Sequence, residues 1–185
     1  DDIRSLKIAD LRSVFTGKQV VYVYHNQIDA RGDKPNTENE VFVACQEAVT
    51  EIMDLIHRIS TSANTYRFIV TADRGFIYKR DKVAESDKID SIKNKATFLN
   101  RRFLVAQEPI SGDGISSMCM GAILCNSDTK WVSYPVSDDV FKVPGGGQNY
   151  VHGGCSPQEM LVPVLDLKME RGHMETRIAG IALVS

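Results

Sequence analysis

Long apolar runs and paired cysteines, two patterns that place many proteins at once, are missing from this sequence. Every apolar run is shorter than the roughly 20 residues that cross a bilayer as a helix, so we expect no membrane-spanning segment and a soluble, intracellular protein. No C-x-x-C spacing occurs among the four cysteines Cys45, Cys119, Cys125 and Cys155. Neither a disulfide framework nor a zinc knuckle is therefore indicated.

A strong charge imbalance and the common nucleotide and protease motifs are also absent. The formal net charge is -2 and the basic residues are spread along the chain, which argues against direct binding of nucleic acid. There is no G-x-x-x-x-G-K-[ST] for a P-loop, no dinucleotide fingerprint and no H-E-x-x-H of a metalloprotease. These three classes therefore fit the sequence worse.

What the sequence does contain is the pattern of an α/β protein. With 185 residues, 43% of them hydrophobic, the chain can bury one core. Residues 18–26 (KQVVYVYHN) and 66–72 (YRFIVTA) are typical of buried strands, and between them an apolar stripe from 41 to 59 predicts a long helix. Such a strand, helix, strand unit predicts a mostly parallel sheet with flanking helices.

Two further regions complete this organisation. Residues 1–17 are polar and predict a lead-in or linker. After residue 101, short runs separated by turn residues (RRFLVAQEPI, SSMCMGAILCN, KWVSYPV) predict an antiparallel strand excursion in the second half.

Acidic and imidazole side chains follow the predicted strands, where ligands bind in open α/β sheets. They are Asp29, Asp33, Asp73 and His152. Carboxylate oxygens and imidazole nitrogens are the ligands that divalent cations prefer, so together they predict a metal site. Simpler interpretations stay open: the first two aspartates as turn residues, Asp73 paired with its neighbour Arg74, and His152 as a hydrogen-bonded structural residue.

Three separated motifs resemble those of the PglZ family. They are YHNQIDARGD (24–33), VTADRGF (70–76) and VHGGCSPQEMLVPV (151–164), in conserved order and spacing. The resemblance implies that residues 18–168 are the C-terminal portion of an alkaline-phosphatase-like domain, hence a partial domain, and that 169–185 form a tail. It also implies a bacterial, cytoplasmic component of a BREX or phage growth limitation system.

The resemblance assigns a role to each candidate residue. Asp29, Asp33, Asp73 and His152 fall on metal ligands for zinc, manganese or magnesium. Arg74 stands where the superfamily has a histidine, and because a guanidinium has no lone pair for a metal, we expect one ion rather than two. Arg74 is then free to bind a phosphate oxygen. His25 and Glu159 are expected to contact the metal ligands without binding the ion themselves.

Two functions follow from the resemblance. The first is the C-terminal part of a metal-dependent phosphohydrolase that acts on a phosphorylated substrate and lacks the nucleophile, because no Asp followed by Ser or Thr at a strand end precedes Asp29. The alternative is a catalytically inactive scaffold or interaction module bound to other components of the defence complex. An open sheet edge could also pair with a second copy as a homodimer.

Overall fold

A computed structural model describes residues 2–81, 83–90, 96–144 and 149–170. Within these residues the α-helices are α1 (Ile8–Phe15), α2 (Gln27–Gly32), α3 (Val41–Ala63), α4 (Met120–Leu124) and α5 (Pro157–Met160). The strands are β1 (Arg67–Thr71), β2 (Ile77–Tyr78), β3 (Lys88–Ile89), β4 (Ala96–Leu99), β5 (Leu104–Ala106), β6 (Ile115–Cys119), β7 (Trp131–Pro135), β8 (Val140–Phe141), β9 (Tyr150–Val151) and β10 (Val164–Lys168). The predicted tail, 169–185, lies almost wholly outside the described residues.

The mixed α/β class is confirmed, but the expectation of a mostly parallel sheet is wrong. β1 pairs with β10, and β2 with β9, in antiparallel register. A four-stranded sheet in the order β4-β5-β7-β6 is antiparallel throughout. In the described part of the chain only the short pair β3 and β8 is parallel.

Residues 18–26 explain why the predicted parallel pair of strands does not form. This segment has no strand assignment, because no second strand of the described chain lies beside it. Val20, Tyr22, Val23 and Tyr24 are exposed, Tyr24 to 91%. The composition that predicted a strand buried on both faces is present, but the described residues place no strand on either side of it.

The long helix is confirmed. α3 covers the predicted stripe and buries Val41, Ala44, Ala48 and Ile59 at three- to four-residue and longer helical spacings. The first 17 residues include helix α1, which contacts α3 and buries Leu11 completely. None of the helices in the described residues is both long and apolar enough to cross a membrane.

The antiparallel strands of the second half are confirmed, except that residues 120–124, predicted as part of a strand, form helix α4. This region contains a buried core. Leu104, Ala106 and Phe141 are buried together, and partly buried aliphatic residues such as Ile89 and Ile115 pack around them. A second buried cluster consists of Ile77, Val83, Val140 and Val151. Because β9 belongs to this second cluster, the core fixes the backbone that leads directly to His152.

Substituting Leu104 by alanine tests whether this core carries the stability of the chain. Leu104 is fully buried, so Leu104→Ala should lower the free energy of unfolding by about 2–5 kcal/mol. Leu124→Ala makes the same change at a side chain that is 54% exposed and should have an effect within about 0.5 kcal/mol. Urea unfolding of both variants measures the difference, and equal losses would contradict this description of the core.

Candidate functional site

Three segments that are distant in sequence meet at one place. Asp29 lies in α2 and Asp33 at its C-terminal end, so the predicted loop begins with a short helix. Asp73 and Arg74 follow the end of β1, and His152 follows β9. All four candidate metal ligands therefore lie in one cluster that is centred on Arg74.

The Arg74 guanidinium contacts three of these candidates at once. Its Nε donates to His152 Nδ1 at 2.8 Å, one Nη to Asp73 Oδ2 at 2.5 Å and the other Nη to Asp29 Oδ2 at 2.6 Å. Arginine has five N–H donors in a planar fork, which suits it to such a junction. Asp73 pairs with Arg74, which is one of the simpler interpretations left open above, and the guanidinium occupies the middle of the cluster.

The contact with Arg74 fixes the state of the His152 ring. A guanidinium only donates, so Nδ1 must accept with its lone pair. In this tautomer the proton is on Nε2, which lies 3.3 Å from Asp33 Oδ1 and donates to that carboxylate. The ring therefore joins Arg74 to Asp33 and has no further lone pair to offer.

Tyr150 is a member of the cluster that the sequence analysis missed. Its hydroxyl donates to Asp29 Oδ1 at 2.5 Å, and its ring packs on Phe76 and His152. Gly32 makes this approach possible, because a Cβ there would lie 2.7 Å from the tyrosine ring. Burial, reinforced by the hydrogen bond to the Asp29 carboxylate, raises the pKa of Tyr150 far above its usual value.

A buried ion pair between Arg102 and Glu159 holds the backbone of the segment that follows His152. Both side chains are almost completely inaccessible to solvent, and the guanidinium donates to both carboxylate oxygens at 2.9 Å. Glu159 also accepts from the backbone N–H groups of Gly154, at 2.9 Å, and Ser156, at 3.2 Å. Burial by itself raises the pKa of Glu159, but these hydrogen bonds outweigh it and the pKa lies below its usual value.

Gly75 attaches the Arg74 segment to the same support. Its N–H donates to the backbone carbonyl of Glu159 at 2.8 Å. A Cβ at this position would lie 2.0 Å from the carbonyl oxygen of Gln158, so no side chain fits. The glycine of the VTADRGF motif therefore allows the turn after β1 to dock on α5.

The remaining predicted residues divide into two groups. Glu159 pairs with Arg102 and accepts from the backbone of Gly154, so among the described contacts it bonds the segment after His152 and none of the candidate ligands. His25 hydrogen-bonds Glu51 on α3, with Nε2 and Oε2 3.0 Å apart, instead of any candidate ligand. Arg102 gave no signal, because an arginine next to another arginine before a strand usually indicates a solvated surface.

The donor set suits a divalent cation, but its present arrangement is organised around a guanidinium. Three carboxylates and an imidazole come from three segments, and the carboxylates outnumber the cation of Arg74 by two. No three His, Cys, Asp or Glu side chains among the described residues are grouped as ligands for an ion. The donor types are those that a divalent cation prefers, but in the described residues their lone pairs are directed at Arg74 and form no metal site.

Residues 1–167 match the BREX system PglZ alkaline phosphatase-like domain. The chain belongs to this PglZ family. The match begins at residue 1, so it includes the segment that the sequence analysis treated as a lead-in.

Two curated proteins are similar to the chain over nearly all its length. The "Alkaline phosphatase-like protein PglZ" of Bacillus cereus (strain H3081.97) is 39% identical over 175 residues, which are 92% of this chain and 20% of that protein. The "Alkaline phosphatase-like protein BrxZ" of Escherichia coli O9:H4 (strain HS) is 34% identical over 169 residues, 90% of this chain and 19% of that protein. The chain thus spans about a fifth of the length of these relatives.

Replacing Glu159 by glutamine tests the buried support. The neutral amide leaves the Arg102 charge buried without a counter-ion, so the free energy of unfolding should fall by about 3–5 kcal/mol. Glu85→Gln makes the same change at a carboxylate whose side chain is 73% exposed and should alter stability little. Urea unfolding at pH 7 compares the two, and a loss for Glu159→Gln no larger than for Glu85→Gln would contradict the assignment.

The Tyr150 environment makes a prediction about alkaline pH. A tyrosine in water ionises at about pH 10, and the raised pKa of Tyr150 keeps its phenol neutral there. The absorbance rise at 295 nm below pH 11 should therefore be the same in Tyr150→Phe as in the parent protein. The stabilisation from the neutral phenol should be complete below about pH 10 and decrease above it, because the unfolded chain ionises first.

Tyr24→Phe, which removes an exposed phenol, shows whether the absorbance signal can detect a single tyrosine. A smaller rise in Tyr150→Phe, in the folded protein, would show that the Tyr150 phenol titrates normally and would contradict its buried contact with Asp29.

Proposed function

We propose that this chain is part of a longer PglZ-type protein of a bacterial, cytoplasmic BREX phage-defence system, and that it carries the metal-binding residues of a metal-dependent phosphohydrolase centre. The family match and the two relatives support the BREX assignment. The hydrolase assignment depends on the chemistry of the cluster around Arg74.

One observation carries this proposal: the three motif segments converge on a single cluster. Residues 29–33, 73–74 and 150–152 are joined by hydrogen bonds between side chains that are 45 to 121 positions apart in sequence. A structural turn or an isolated surface ion pair does not require three separate segments to meet. Convergent polar groups beside a depression are typical of a binding or catalytic site.

Asp29, Asp33, Asp73 and His152 are the residues that would hold a zinc, manganese or magnesium ion. A single ion is proposed, because Arg74 takes one histidine position of the superfamily pattern. An ion held there would stabilise the negative charge of a transferring phosphoryl group. The nucleophile is proposed to come from outside this chain, so the chain alone is expected not to turn over substrate.

A depression beside the cluster is the proposed place for the phosphorylated substrate. It has a cavity volume of about 180 Å³, and its walls include Asp33, Asn100, Arg101, Tyr150 and His152. Burial lowers the pKa of Arg101, which still carries positive charge at neutral pH. Arg101 in the wall and Arg74, which contacts His152 from within the cluster, are the guanidinium groups proposed to meet a phosphate oxygen.

One observation favours the second candidate function, a non-catalytic scaffold within the defence complex. Arg74 already pairs with Asp29 and Asp73, so part of the negative charge that would attract a metal is balanced within the chain. In this alternative the cluster holds three segments together for contact with other components of the system.

The two functions differ in what His152→Ala does to the full-length protein that includes this chain. We expect hydrolysis of bis(p-nitrophenyl) phosphate to fall by about 100-fold or more, since loss of a ligand should cost at least as much as loss of a ligand's support. Phage protection, measured as efficiency of plating, should fall with it. His57→Ala, on an exposed position of α3, is the matched control and should leave both unchanged.

Hydrolysis that survives in folded His152→Ala would overturn the proposed centre. Undetectable hydrolysis in the parent protein, together with phage protection that persists in His152→Ala, would establish the scaffold function instead.

A further inference from the structure

We propose that Arg74 is a built-in competitor of the metal ion: the guanidinium and a divalent cation occupy the cluster in turn, and entry of the cation releases Arg74 to bind the phosphate. This inference rests on the proposed function, because it concerns the same four ligands. It adds an order of events that neither the family nor the ligand set specifies.

The competition follows from the atoms that Arg74 uses. Its three hydrogen bonds are accepted by oxygens of Asp29 and Asp73 and by Nδ1 of His152. Those are the lone pairs with which these residues would bind a cation. Because the guanidinium is itself cationic, an ion at the same place would meet both a steric and an electrostatic barrier.

The tautomer of His152 also prevents a cation from binding through the other ring nitrogen, Nε2. A cation could avoid Nδ1 by binding Nε2, but in this structure Nε2 carries the proton that it donates to Asp33. Moving that proton to Nδ1 would place it against the Nε–H of Arg74, 2.8 Å away, with no acceptor between the two nitrogens. Neither ring nitrogen can bind a metal while the Arg74 contact exists.

Next to the cluster there is space in which a released Arg74 side chain can bind phosphate. The side chain is 31% exposed and its fork is matched to phosphate oxygens, while His152 lines the adjacent depression. By linkage, a cation that frees Arg74 should raise the affinity for phosphate, and phosphate that captures Arg74 should raise the affinity for the cation by the same factor.

The test is calorimetric titration of the full-length protein that includes this chain with manganese and with zinc, for the parent protein and for Arg74→Gln. We expect Arg74→Gln to bind the ion about tenfold tighter or more, because the ion no longer has to break two ion pairs. Arg31→Gln is the matched control: Arg31 lies in the same segment as Asp29 and Asp33 but pairs with Glu47. It removes one nearby positive charge without vacating the cluster and should have a much smaller effect.

The outcomes separate this inference from the proposed function. Equal or weaker binding by folded Arg74→Gln, or the same gain in Arg31→Gln, would overturn the competition while leaving a metal site in place. Absence of binding in both proteins at millimolar ion would overturn the metal centre itself, and the competition with it.

A measurement on the parent protein keeps the proposal testable if Arg74→Gln does not fold. In ¹⁵N NMR spectra without metal, His152 should show a protonated Nε2 and an unprotonated Nδ1 that accepts from the Arg74 Nε–H. Addition of the ion should abolish this hydrogen bond. Its persistence in the metal-bound protein would contradict the exchange.

Discussion

The buried pair of Arg102 and Glu159 is the interaction on which the rest of this structure depends. The arginine precedes β5 of the four-stranded sheet and also donates to the carbonyls of Ser137 and Asp139. The glutamate lies in the first turn of helix α5. Taking two charges out of water costs several kcal/mol per ion and is offset only when every polar atom finds a partner. The sheet, the segment after His152 and the docking site of Gly75 are therefore fixed relative to one another.

The second guanidinium, that of Arg74, is partly exposed to solvent, unlike that of Arg102. It and Asp29 are each about 30% exposed, so water screens their pair and the free energy at stake is much smaller. A buried pair such as Arg102 and Glu159 holds one arrangement, whereas a partly solvated one can be exchanged for another cation at modest cost. The cluster thus combines a rigid support with a centre that is able to change its occupant.

Local sequence patterns predicted the elements whose burial is determined within the chain. The stripe of α3 and the short antiparallel strands after residue 101 were found in this way, since helical periodicity and turn residues are local signals. Residues 18–26 failed because burial of a strand depends on its neighbours, and their valines and tyrosines find none in the described chain. The same reason explains the wrong expectation of a mostly parallel sheet.

The candidate site was predicted as a set of residues but not as an arrangement. The three motifs identified Asp29, Asp33, Asp73 and His152, and the structure brings them together around Arg74. Tyr150 and the buried role of Arg102 had no sequence signal, because both depend on contacts between segments more than 50 residues apart. His25 lies at a predicted strand end, yet its partner is Glu51, since α3 is nearer than the cluster.

A crystal structure of this chain grown with manganese would test the central claim most directly, through the anomalous signal of the ion. The account predicts a peak among Asp29, Asp33, Asp73 and His152, with the Arg74 side chain turned away from His152. An ion bound there while Arg74 still donates to His152 Nδ1, or a cluster that stays closed around Arg74 at saturating manganese, would contradict it.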